Sequence, residues 1–134
     1  MSDYVLDTNI CIYWLKGKGE IRRKVEQAGA DNLRITIITL AELKYGAYKS
    51  KEVSENLKSI DNFLKKIRVL PLDEESADRF GKIKEDLRRS GQIIEDFDIL
   101  IASITLKHGG ILVTNNIEHF KRIGGLNCEN WLNQ

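Results

Sequence analysis

Three acids and an amide mark where chemistry could be done. Asp7, Glu42, Asp98 and Asn116 sit in the stretches YVLDTN, ITLAEL, EDFDILI and ILVTNN, each beside an apolar run. Brought to about 5 Å of one another, three ionised carboxylates repel by roughly 3 kcal/mol per pair at an effective dielectric near 20. A proton, a basic partner or a hard divalent cation would relieve that repulsion. Oxygen-only donors select Mg2+ or Mn2+, ions that keep several waters and hold phosphates. Each residue also has a local explanation. Asp7 with Thr8 and Asn9 can cap a following helix, and TLAE (39–42) fits a capping box with Glu42 reaching back to the Thr39 amide. Asp98 and Asn116 are equally acceptable N-caps. Caps make no demand on one another, whereas a catalytic site requires the four to meet. The two histidines, His108 and His119, have no paired metal spacing and are expected at a helix end or on the surface. No nucleophile motif of the Ser-His-Asp or Cys-His kind stands out.

The elements that must position these residues are legible from periodicity. Tyr4-Val5-Leu6 reads as a short buried strand, followed by a helix over residues 10–15. A second helix ends near Gly29, and the β-branched run LRITIIT (33–39) reads as the second strand. Helix is expected from Leu40 to Lys49. Val53, Leu57, Ile60, Phe63, Leu64 and Ile67 then recur at three- and four-residue steps, one apolar stripe. IRVLPL (67–72) is the third strand. Asp73 caps a helix with Ala77, Phe80, Ile83 and Leu87 on one face, stopped by Gly91. Residues 98–110 form a helix apolar almost all round, hence buried, ending at Gly109. ILVT (111–114) is a fourth strand, NIEHF a short helical turn, and GLNCENW a last edge strand. Strands alternating with helices imply an α/β fold, a three-layer α/β/α sandwich on a mainly parallel sheet of four to five strands. In such sheets ligands gather beyond the carboxyl ends of the strands, where all four polar residues fall.

Length and composition bound the rest. The 134 residues suit a single domain over 1–134, with 42% hydrophobic and 31% charged residues. A formal net charge of +1 provides no global field for nucleic acid, so any such surface must be local. Lys16 and Lys18 follow Asp7, and Lys44, Lys49 and Lys51 follow Glu42. Lys16 and Lys44 are the candidates to flank an acidic pocket that would otherwise repel a phosphate-bearing ligand. Cys11 and Cys128 lack metal-type or disulfide-rich spacing and read as reduced thiols. Nothing resembles a signal peptide or a membrane span, so a soluble, cytoplasmic protein is expected.

The stretches LDTNICIYWLKG, ITLAELKYG, DFDILIASITLKHGGILVTNN and the closing ENW together resemble a PIN-domain ribonuclease of the VapC toxin family. They do so along essentially the whole chain, in order and at the right spacing. The resemblance implies a metal-dependent endoribonuclease, closest to the initiator-tRNA-cleaving branch. It further implies inhibition by a VapB-like antitoxin, a homodimer, and higher-order complexes with that antitoxin. By motif, Asp7, Glu42 and Asp98 match the family's acids, and Asn116 of the T-N-N element stands where relatives carry an acid or an amide. Asp7 and Asp98 would then bind Mg2+ or Mn2+, with Glu42 coordinating directly or through water. Thr8 and Thr114 are candidates to hydrogen-bond Asp7, Asp96 is an extra acid that could replace the charge missing at Asn116, and Asn9 is expected to cap the first helix. Rival readings are a receiver-like phosphoacceptor, lacking its acidic pair and late lysine, a non-catalytic binding module on the same fold, and a DNA-directed nuclease.

Overall fold

A computed structural model describes residues 3–132. Five strands form one sheet: β1 (Tyr4–Leu6), β2 (Leu33–Thr36), β3 (Arg68–Leu70), β4 (Ile111–Val113) and β5 (Asn127–Glu129). Their spatial order is β3-β2-β1-β4-β5, and every neighbouring pair is parallel. Seven helices surround it: α1 (Thr8–Leu15), α2 (Gly19–Ala28), α3 (Ile37–Tyr48), α4 (Val53–Leu64), α5 (Glu74–Arg89), α6 (Asp96–His108) and α7 (Ile117–Phe120). The α/β sandwich expected from the alternation is therefore observed, with a sheet that is wholly parallel.

Successive strand residues point to opposite faces, and both faces are buried. Leu6, Leu33, Ile35 and Val113 pack under the layer of α1 to α4, against Ile10, Ile21, Leu43 and Phe63. Val5 and Leu112 face the other way, against Leu87, Ile99, Ile101 and Phe120 of α5 to α7. Residues 101–105 of α6 are all buried, as its all-round apolar sequence requires. Gly109, at φ 66°, ends α6 in the left-handed conformation that a side chain would strain. Asp73 caps α5 by accepting from the Ser76 amide. Ala77 is exposed; the packed face of α5 is Ser76, Phe80, Ile83 and Leu87.

Two element boundaries differ from expectation. β2 stops at Thr36 and α3 begins at Ile37, inside the run read as strand. Thr36 is the cap: its hydroxyl accepts from the Thr39 amide at 3.1 Å. With that amide taken, the capping box over 39–42 does not form, and Glu42 lies in the second turn with its carboxylate free to point elsewhere. Similarly α6 starts at Asp96, so Asp98 belongs to its first turn and is not the cap. Among the described residues, no helix is long and apolar enough to cross a membrane. Cys11 and Cys128 are both free thiols.

Candidate active site

The strand order reverses beside β1: the chain first winds outward through β2 and β3, then returns to lay β4 on the other side of β1. The crevice beyond the carboxyl ends of β1 and β4 is the place where such sheets bind ligands. Asp7 follows β1 directly, and its amide donates to the Val113 carbonyl of β4 at 2.9 Å. Asp7 is only 7% exposed. Asp7 is also the N-cap of α1, Oδ1 accepting from the Thr8 amide at 2.8 Å. Oδ2 accepts from the Thr114 hydroxyl at 2.8 Å. Capping and clustering are thus not alternatives for Asp7; the residue does both.

Thr114 crosses the reversal point, since its hydroxyl also accepts from the Asn116 amide at 3.0 Å. Its expected bond to Asp7 is present. Thr8 also bonds Asp7 as expected, but through its backbone amide. Its side chain turns away from Asp7, donating to Glu42 Oε1 at 2.6 Å and lying 3.1 Å from the Thr39 hydroxyl. Asn9 is exposed in the first turn of α1, where the cap position is already filled by Asp7.

Electrostatics place the three acids in one field. Burial raises the Asp7 carboxyl above its ordinary range; the Thr114 and Thr8 hydrogen bonds oppose this, and the Asp98 charge adds to it. Asp98 is likewise raised, chiefly by burial, and the Glu42 charge contributes. A chain of mutual repulsion therefore runs from Glu42 through Asp98 to Asp7. Among the described residues, no three His, Cys, Asp or Glu side chains already stand at metal-binding spacing.

His119 was not expected here. Its Nε2 lies 3.1 Å from Asp98 Oδ2, and its charge lowers the proton affinity of both Asp98 and Asp7. No metal-type histidine pair announces it. The available signal was its position three residues after Asn116, one helical step from the loop that ends β4.

Three expected residues are placed otherwise. Asp96 forms an ion pair with Lys84 at 2.8 Å on the exposed face toward α5, and so does not replace a missing charge in the pocket. Asn116 is exposed and its side chain makes no cap bond; its amide rather than its carboxamide ties it to the site. Lys44 turns toward Asp61 of α4 at 3.7 Å. Lys16 lines, with Glu42 but with neither Asp7 nor Asp98, a groove of about 420 Å³ between α1, α3 and α4. Lys18 and Lys49 rest over the rings of Tyr13 and Tyr45.

Comparison with known proteins identifies the family. Residues 4–126 match the PIN domain. The chain is 40% identical over 131 residues to the tRNA(fMet)-specific endonuclease VapC of Shigella flexneri, covering 98% of this chain and 99% of that protein. Among solved structures, DNA-bound VapBC from Salmonella typhimurium superposes with a TM-score of 0.92 at 36% identity, over 98% of this chain and 99% of that one. VapBC2 from Rickettsia felis, bound to a fragment of its promoter, gives a TM-score of 0.90 at 38% identity, over 96% and 98%. With its acids gathered at the reversal of a parallel sheet and its likeness running nearly end to end, the chain belongs to the PIN-domain family, among its VapC members.

Proposed function

We propose that this chain is the ribonuclease toxin of a type II toxin–antitoxin pair, cleaving one phosphodiester of initiator tRNA and thereby halting translation. The observation that carries this reading is the shared field of Asp7, Glu42 and Asp98 at the switch point of the sheet. It occurs in a chain 40% identical to an endonuclease named for tRNA(fMet). Asp7 and Asp98 have proton affinities raised chiefly by burial, and with Glu42 they make an all-oxygen donor set that fits Mg2+ or Mn2+. Such an ion, when bound, supplies a water of lowered pKa and counter-charge for the transition state of phosphodiester hydrolysis.

The protein's own part is positioning. Asp7 and Asp98 would hold the cation, with Glu42 as a further oxygen donor. Each oxygen of Asp7 accepts one hydrogen bond from the protein, which leaves each a further lone pair for a ligand. Thr8 holds Glu42 in the same way. Lys16, beside Glu42, offers a positive charge to the RNA backbone. The toxin acts in the cytoplasm as a homodimer, silenced by a VapB-like antitoxin in a larger complex.

The test is cleavage of initiator tRNA set against elongator methionine tRNA, with the ends of the fragments sequenced. Cleavage at one site of the initiator species alone is expected. Equal cleavage of both tRNAs sinks the target assignment, and cleavage of DNA in preference to either sinks the ribonuclease reading.

A further inference from the structure

Each acid of the site is held by its own donor: Asp7 by Thr114 and the Thr8 amide, Glu42 by the Thr8 hydroxyl, and Asp98 by His119. The first two donors lie on elements adjoining their acids. His119 does not. It comes from α7, beyond β4, and so ties the start of α6 to the far side of the switch point.

We propose that His119 is a positioning residue, whose Nε2–H fixes one oxygen of Asp98 and thereby presents the other to the cation. An ionised carboxylate only accepts, so the 3.1 Å contact places the hydrogen on Nε2. The imidazole is itself braced. Its ring stands edge-on to Phe120, 5.4 Å between centroids at 84°, and Phe120 is 1% exposed in the core under α6. The His119 amide donates to the Asn116 carbonyl at 3.1 Å, tying its backbone to the same loop that carries Thr114. A ring set by a core aromatic holds a carboxylate more firmly than a surface donor would, because less rotamer freedom remains to be lost. Donors behind metal-binding carboxylates typically influence metal affinity by about 10- to 100-fold. This inference rests on the reading of Asp98 as a metal ligand.

The experiment is calorimetric titration of Mn2+ into the full chain and into His119→Ala, His119→Gln and Asp98→Asn, with thermal unfolding of each as a check on folding. Glutamine carries an N–H at about the reach of Nε2 but no imidazole. Expected are a 10- to 100-fold weaker Mn2+ affinity for His119→Ala and near-complete rescue by His119→Gln. Strong loss in Asp98→Asn with full affinity in His119→Ala overturns the positioning role alone. Unchanged affinity in Asp98→Asn overturns the metal-site reading and this inference with it. Failure of His119→Gln to rescue a folded protein, with nitrogen coupling to Mn2+ in the pulsed electron paramagnetic resonance of the full chain, makes His119 a direct ligand and also overturns it. If His119→Ala does not fold, His119→Gln decides: affinity near that of the full chain supports the donor role, and loss contradicts it.

Discussion

Asp7 is the residue on which fold and chemistry conflict most directly. A buried carboxylate at the end of a core strand favours its protonated form, and its raised proton affinity is a cost to folding when it is ionised. The sign follows from linkage: the folded state holds this proton more tightly, so stability falls as pH rises from 3.8, the ordinary value, through the raised folded value. Glu85 acts oppositely. The Arg88 and Arg89 hydrogen bonds hold it down at about 2, so its contribution is lost as pH falls from 4.5 toward that value. Asp7→Asn is therefore expected to remove activity, to be at least as stable as the parent at pH 7, and to flatten only the fall in stability on the neutral side. Denaturant unfolding across pH and an activity assay check this; a large loss of stability at pH 7 with activity retained would leave Asp7 a structural residue only. At this scale Asp7 stood out because it ends an apolar strand, Glu42 because it follows one closely, and Asp98 because it opens an apolar helix. His119 did not, since a lone histidine in a four-residue helix leaves no pattern, and its role exists only through the distant Asp98.

At the scale of elements, what positions Glu42 is where α3 begins. The run LRITIIT has the composition of a strand throughout, but the Thr36 hydroxyl can accept the Thr39 amide, and that local bond turns the chain into helix three residues earlier than composition implies. The consequence is functional: Glu42 is released from capping and is bonded by Thr8 of α1. Thr36→Val keeps the shape of this buried side chain and removes the cap, and should lower stability by about 1 kcal/mol. The same variant should weaken metal affinity less than Asp98→Asn does, because Thr36 touches no acid. Chemical denaturation and metal titration measure the two effects; unchanged stability would move the start of α3 back toward Thr39. The other elements were readable because periodicity is strongest where burial is one-sided, as in α4, or complete, as in α6. Boundaries failed where one hydroxyl or one turn of helix decided them. Asp98 moved from cap to first turn because α6 extends two residues further than its apolar stretch.

For the whole molecule, the sheet is the shared wall of two apolar layers, and neither layer is complete without it. We infer from this a single domain that unfolds as a unit. Trp14 and Trp131 both belong to the layer of α1 to α4, so their fluorescence reports that face, whereas far-UV circular dichroism reports all helices. The two probes should give coincident transitions, and separated midpoints would show that the layers unfold independently. The whole-molecule architecture was legible from the alternation of strands and helices, but the strand order was not. The pairing of β1 with β4 in the order β3-β2-β1-β4-β5 is what brings Asp7 beside Thr114 at the switch point. The most direct measurement is cleavage of total cellular RNA by metal-stripped protein, with Mn2+ or Mg2+ restored, beside Asp7→Asn treated identically. Discrete fragments that require both the cation and Asp7 are the expected result. Cleavage that persists without added metal, or in Asp7→Asn, would contradict a carboxylate-held cation as the centre of the chemistry, and no cleavage by folded, metal-binding protein would make this chain a binding module on a nuclease fold.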